Sequence, residues 1–240
     1  MTIVKNNEAN IENTIQSALS QDYPNLEYIV IDGKSEDKTT QIINNYSKSI
    51  DKIISEPDKG IYDALNKGLG NATGEIIGFL HSDDIFSNTR IVSEIANMFA
   101  KTNTDIVYGD ISYIRKNKMI HRKWVSGNFS SWKLYFGWMP PHTGVFIKKN
   151  FYLDNNLNFN LNYKISADYD LLIRALKIQD LKISYIQQNI VNMLLGGASN
   201  RNLKSILIKI IEDYKIVKAN NVGGVITIFF KNIIKIKQFF

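Results

Sequence analysis

Through the first half of the chain, apolar runs of strand length alternate with stretches whose apolar residues recur every three or four positions. A chain that repeats strand and helix in this way builds an α/β sheet with crossover helices. Ile11, Ile15, Ala18 and Leu19 have helical spacing, and Tyr23-Pro24-Asn25 ends that helix before the apolar strand Leu26 to Ile31. A helix from about Thr39 to Tyr46 and a short strand from Lys52 to Ser55 follow. Ile61, Ala64 and Leu65 make one face of a third helix, which Gly68 is placed to end. The strand Glu75 to Leu80, a helix carrying Ile91, Ile95, Met98 and Phe99, and the strand Asp105 to Tyr108 complete the repeat. Thr2-Ile3-Val4 reads as the last part of a buried first strand, about four residues below usual strand lengths. Either the start is truncated or the first strand is short.

From Ser112 to Phe136 the pattern changes to short alternating strands rich in basic and aromatic residues, and Trp138-Met139-Pro140-Pro141 then interrupts any regular element. Order returns with a helix from about Asp168 to Lys177, strand-like runs Lys182 to Gln187 and Ile190 to Leu194, and a loop at Gly196-Gly197. A last apolar stripe runs through Leu203, Ile206, Leu207, Ile210, Ile211, Tyr214 and Val217. With 240 residues and 44% hydrophobic content, one well-filled core is expected, as a single domain over residues 1–200 with a helical extension over 201–240. Cysteine is absent, which excludes a disulfide framework, a thiolate metal site and a cysteine nucleophile. Any metal is therefore held by oxygen or imidazole. Met1 to Asn10 has no basic region followed by an apolar core, so the expected compartment is the cytoplasm.

The net charge of +6 is confined to the end of the chain: residues 1–200 carry 21 Lys+Arg and 21 Asp+Glu, whereas residues 201–240 carry 8 and 2. A nucleic-acid binder would show its basic stripe on the folded body, so no nucleic-acid partner is expected.

The sharpest local cluster is His81-Ser82-Asp83-Asp84, immediately after an apolar strand. Carboxylates at a strand's carboxyl end stand where open α/β sheets bind ligands, and they offer hard oxygens to Mg²⁺ or Mn²⁺. The same residues also read as a polar turn capping the next helix. Asp32-Gly33-Lys34-Ser35-Glu36-Asp37 follows another strand, where an acidic residue can accept bonds from a ribose or base edge, or Ser35 can cap a helix.

The order of these motifs resembles the inverting nucleotide-sugar glycosyltransferases of family 2, over residues 1 to about 200. Asn6-Asn7-Glu8 looks like that family's loop after strand one, Asp32 to Asp37 like its D-G-S-x-D turn, and Lys59 to Gly68 like its K-G-x-x-x-A-x-N-x-G segment. Ala72-Thr73-Gly74-Glu75 and Phe79-Leu80-His81-Ser82-Asp83-Asp84 look like its approach to the D-x-D motif, with His81 in place of the first carboxylate. Ser166-Ala167-Asp168-Tyr169-Asp170-Leu171-Leu172-Ile173-Arg174 looks like its E-D-x-D-L-x-x-R segment, with Ala167 in place of the Glu.

The resemblance implies a GT-A type, Rossmann-like mixed sheet flanked by helices, with a donor half over about 1–110, an acceptor half over about 111–200 and a C-terminal amphipathic helical tail. It implies a sugar donor, with UDP-sugar favoured, and a glycan or lipid-linked acceptor in bacterial surface-polysaccharide biosynthesis. Asn6, Asp32, Ser35, Asn66, Lys67, Ser82 and Asp83 would serve the donor, and Asp83, Asp84 and His81 would serve Mn²⁺ or Mg²⁺. Asp168 would be the general base, the plain reading being a helix N-terminal acid favoured by the macrodipole. Trp138, His142 and Asp170 would face the acceptor, while the plain reading of Trp138 and His142 is a core aromatic and a bonded loop residue. Two other readings remain open: a sugar nucleotidyltransferase, whose glycine- and arginine-rich triphosphate loop is not found, and a non-catalytic membrane adaptor with the same fold.

Residues 222–240 mix Val225, Ile226, Phe229, Phe230, Ile233 and Ile234 with Lys231, Lys235 and Lys237. The lysines argue against a spanning helix, which needs about 20 mainly apolar residues. A basic apolar helix lying on the inner face of an anionic membrane is expected, against a terminal helix packed on the body or on a second copy in a homodimer.

Overall fold

A computed structural model describes residues 1–195 and 203–236. Its first strands, β1 (Thr2–Val4), β2 (Ile29–Asp32) and β3 (Lys52–Ser55), are parallel in the order β1-β2-β3. The helices α1 (Ile11–Leu19) and α2 (Thr39–Asn45) connect them. Helix α3 (Ile61–Asn71) then leads to β4 (Ile76–Gly78), which a short loop separates from β5 (Asp84–Phe86). After α4 (Ile91–Thr102) come β6 (Ile106–Ile114), β7 (Ile120–Trp124), two 3₁₀ turns (Ser131–Phe136 and His142–Gly144) and β8 (Val145–Lys148). The chain continues with α5 (Lys149–Asp154), α6 (Ala167–Leu176), β9 (Ile183–Leu194), α7 (Leu203–Ala219) and α8 (Val225–Ile236).

The later strands form a mixed sheet in the order β4-β8-β6-β9-β5, with β7 hairpinned onto β6. Strand β9 runs parallel to β6, and β8 antiparallel to it. The Met1 carbonyl accepts the Leu80 N–H at 2.9 Å, and the Met1 amino group donates to the Gly78 carbonyl at 2.9 Å. These bonds join β1 to the β4 end and set the two sheets edge to edge. Both faces are covered, which explains the unbroken apolar strands. Ile29, Ile31, Ile106 and Tyr108 point into one core beneath α3, α6 and α7, while Tyr28, Val30 and Val107 point into the other beneath α1, α2 and α4.

Four local expectations are revised. Gly68 lies inside α3 rather than ending it, and a Cβ there would stand 2.5 Å from Met1 Sδ, displacing that side chain. The two runs either side of Gln188-Asn189 form one strand, β9, because the polar pair sits at a bulge where the register against β6 jumps from Gly109↔Ile186 to Asp110↔Asn189. The segment from Ser112 to Phe136 contributes the end of β6, one further strand and a 3₁₀ turn. Lys231 is not among the tail's surface cations: it is 4% exposed. The loop at Gly196-Gly197 lies outside the described residues, as does the end of the tail from residue 237.

The C-terminal segment forms two helices that fold back onto the body, with Ile216, Val217, Val222 and Ile228 in the main core. Among the described residues, no helix is long and apolar enough to cross a membrane. A cavity runs along β4, lined by Tyr28, Ile76, Gly78, Leu80 and Phe146 among others.

Candidate active site

The loop after β1 ties together the two loops beside it. Asn6, at φ 51°, receives Glu36 N–H on its side-chain oxygen at 2.8 Å and donates its own N–H to Ser35 Oγ at 2.8 Å. Asn and Asp tolerate this left-handed backbone better than most residues. Asn7 reaches the other way: its Nδ2 lies 2.9 Å from Ser82 Oγ and 2.8 Å from Asp83 Oδ1. Asn10 Nδ2 donates to the same Asp83 Oδ1 at 2.8 Å. Both amides therefore converge on one oxygen of Asp83.

Asp32 is fully buried and internally bonded. Its carboxylate accepts from Ser35 Oγ at 2.5 Å, Ser55 Oγ at 2.6 Å and Thr40 Oγ1 at 3.1 Å. It thereby fixes the turn that carries Ser35. Asn66 makes a two-way bond with the backbone of Phe159, at 2.8 and 2.9 Å, and Lys67 bonds the Pro57 carbonyl and pairs with Glu56 at 2.9 Å. The bond to Glu56, ahead of its neighbours, raises the Lys67 pKa. Both residues thus brace α3 against its surroundings.

Asp168 occupies the first turn of α6, where the helix dipole favours a carboxylate. The single Tyr62 Oη proton is shared between the Ile165 carbonyl, at 2.5 Å, and Asp168 Oδ1, at 3.1 Å. Burial first, and then the Asp168 charge, push the Tyr62 hydroxyl far above its ordinary range, so it stays a donor. A relay of rings joins Asp168 to the Asp83 loop: Tyr62 stacks on Phe159 at 5.8 Å, Phe159 meets His142 edge-on at 5.4 Å, and His142 lies 5.9 Å from His81. A continuous chain of contacts thus runs from Asp168 to His81, two residues before Asp83.

The two histidines are neutral at working pH. Burial, with help from His142, pushes His81 down to about 3. Burial also lowers His142, while the Asp168 charge resists. His142 Nε2 is buried without a hydrogen-bond partner, an orphan that a bound ligand can satisfy. Asp84 differs from Asp83: it is 1% exposed within β5, and burial, followed by the Asp83 charge, raises its pKa well above the usual carboxylate range. Asp170 is engaged by Arg174 Nε at 2.9 Å and Asn220 Nδ2 at 3.2 Å. Trp138 donates Nε1–H to the Ser126 carbonyl at 2.8 Å and packs on Tyr108 and Phe129, an arrangement that matches its core reading.

No three His, Asp or Glu side chains gather as a metal cage among the described residues. Tyr62, Phe159, Asn7 and Asn10 belong to the site without having been assigned to it from sequence. Only Asn7 carried a signal, in the polar loop after β1.

A mixed sheet of this order flanked by helices, with an acidic loop at the end of β4, has the architecture of a GT-A glycosyltransferase. Residues 1–163 match the profile of Glycosyl transferase family 2. The chain belongs to that family and is a glycosyltransferase. It is 28% identical over 191 residues to a PGL/p-HBAD biosynthesis glycosyltransferase of Mycobacterium tuberculosis (strain ATCC 25177 / H37Ra), covering 78% of this chain and 72% of that one. It is 35% identical over 116 residues to the Escherichia coli UDP-Glc:alpha-D-GlcNAc-diphosphoundecaprenol beta-1,3-glucosyltransferase WfgD, covering 48% of this chain and 46% of that enzyme. The fold is shared with S. aureus TarS 1-349, at a TM-score of 0.69 and 18% identity over 97% of this chain and 67% of that one. It is also shared with the Pyrobaculum calidifontis mannosyltransferase PcManGT in complex with GDP-Man and Mn²⁺, at a TM-score of 0.64 and 16% identity over 99% and 68%.

Proposed function

We propose that this enzyme transfers a sugar from a nucleotide diphosphate donor, a UDP-sugar by preference, to a glycan or lipid-linked acceptor with inversion at the anomeric carbon. The observation that supports the reading is the chain of contacts from Asp168 through Tyr62, Phe159 and His142 to His81, two residues before Asp83. The donor lies along the loops carrying Asn6, Asp32, Ser35, Ser82 and Asp83, with Asn66 and Lys67 bracing that wall. Asp168 accepts the proton of the incoming hydroxyl while that oxygen attacks from the face opposite the nucleotide, so a single displacement inverts the centre. Tyr62 orients the carboxylate, and the buried Nε2 of His142 takes a bond from a hydroxyl of donor or acceptor in the closed complex. A Mn²⁺ or Mg²⁺ at Asp83 would neutralise charge on the departing diphosphate.

Support for the donor class comes from relatives: the Escherichia coli enzyme is named for UDP-Glc, and TarS was crystallised in complex with UDP and with UDP-GlcNAc. The same Escherichia coli name specifies a diphosphoundecaprenol acceptor, which favours a lipid-linked acceptor at the inner membrane face. The tail suits that location, because Val225, Ile226 and Phe229 of α8 are 71, 70 and 61% exposed beside a basic C-terminal segment. The test is a panel of UDP- and GDP-sugars with Mn²⁺, offered with glycan and lipid-diphosphate acceptors, the product anomer being read by NMR. Transfer from a UDP-sugar with inverted configuration is expected. A retained anomer, or no stabilisation by any nucleotide, would overturn the reading.

A further inference from the structure

The C-terminal helices reach the cleft through a cluster of buried charges. The Glu212 carboxylate of α7 accepts three successive backbone N–H groups, from Lys164 at 2.8 Å, Ile165 at 2.9 Å and Ser166 at 3.0 Å. A single carboxylate thus satisfies three consecutive amides of the segment that leads into α6, the last of them that of its N-cap residue Ser166. Asp168 follows two residues later. The clamped Ile165 also presents its carbonyl to Tyr62 Oη, the hydroxyl that bonds Asp168. The clamp therefore fixes the backbone of the proposed base and the position of its hydrogen-bond donor.

The neighbouring residue holds α7 in place. Asp213, 2% exposed, pairs with Lys209 at 3.1 Å and with Lys231 of α8 at 2.8 Å. Lys231 Nζ lies 3.1 Å from the ring centroid of Tyr169, next to Asp168 in α6. Gly137 gives α8 its room: at φ 75°, a Cβ there would stand 2.5 Å from Lys231 Cβ and 2.8 Å from the Thr227 carbonyl. Apolar side chains of similar volume often serve stability as well as a buried ion cluster, so stability alone is weak grounds for keeping one.

We infer that Glu212 is a positioning residue for Asp168, locked at its reach by the Asp213–Lys231 pair between α7 and α8. This rests on Asp168 being the base. The test is a double-mutant cycle on the full chain, with kcat at saturating donor and acceptor and the Kd for UDP measured for each variant. Glu212→Ala is expected to lower kcat about 10–100-fold, since small displacements of a reacting group cost up to ~10²-fold. The Kd for UDP stays within about twofold, because the clamp stands off the donor wall. Glu212→Gln retains more activity, its carbonyl still accepting from one or two of the amides. In an Asp168→Asn background Glu212→Ala adds less than about twofold, as residues acting as a unit are non-additive. An unchanged kcat for Glu212→Ala, or an equal further loss in the Asp168→Asn background, would overturn the inference. Should Glu212→Ala not fold, the same two comparisons with Glu212→Gln decide it. An inactive Asp168→Asn beside a fully active Glu212 variant refutes the clamp alone, whereas a fully active Asp168→Asn refutes the base and the clamp together.

Discussion

Two asparagine amides on one oxygen of Asp83 hold that carboxylate where it meets the cleft, and this arrangement makes a residue-level prediction. Outer-shell partners of a metal-binding carboxylate typically contribute about 10–100-fold in metal affinity or activity. Asn7→Ala should therefore raise the Mn²⁺ concentration for half-maximal transfer at least about tenfold. An unchanged Mn²⁺ titration would locate the cation elsewhere. A second prediction concerns Lys231, which faces Asp213, Lys209 and the Tyr169 ring, with Asp168 nearby. Burial pulls its pKa down to about 7, Lys209 pushes the same way, and Asp213 and Asp168 resist. The folded state thus releases this proton above pH of about 7, whereas the unfolded chain keeps it to about 10.4. The unfolded state binds more protons in that window, so this group's contribution to stability rises with pH across it. Lys231→Met should flatten the rise in denaturation midpoint between pH 7 and 10, and an identical slope in both proteins would contradict the assignment. The cluster His81-Ser82-Asp83-Asp84 was legible in sequence because its members are contiguous. Tyr62 and Phe159 were not, since their partners lie across most of the chain and each looks like a core aromatic in isolation.

At the scale of elements, α3 is joined to the loop before α6 by the reciprocal amide bonds between Asn66 and Phe159. Removing one partner leaves a partly buried backbone donor and acceptor unsatisfied, at a cost of about 1–3 kcal/mol. Asn66→Ala should lower the denaturant midpoint accordingly with an unchanged slope. A neutral result would make the pair ornamental. The alternation of strand and helix through β6 could be read directly because each apolar run covers a sheet buried on both faces. What resisted reading was local geometry: Asp84 opens a strand inside an acidic turn, and Gln188-Asn189 marks a bulge in a continuous strand. In both cases tertiary pairing overrides the local polar signal.

For the whole molecule, the sequence made residues 201–240 look like an appendage, and its helical, amphipathic character is present. Its packing was invisible because periodicity does not say what a stripe will cover. Val222, Ile228 and Lys231 are buried against the body, so deleting the tail would damage the core and test nothing about membranes. Paired substitutions on the exposed face, Ile226→Ser with Phe229→Ser, isolate that question. They should release the protein from anionic liposomes without lowering Tm, and undiminished co-sedimentation would refute the membrane reading.

The proposed function comes down to two roles, donor binding at the Asp83 loop and a general base, Asp168, at the head of α6. Replacing Asp168 by Asn keeps the shape of that side chain and removes its basicity, so a paired measurement of transfer rate and UDP affinity tests the claim directly. Transfer should fall by about 10²–10⁴-fold, the usual contribution of a positioned general base, with the Kd for UDP unchanged within about twofold. Transfer at the wild-type rate by Asp168→Asn, with UDP still bound, would contradict it.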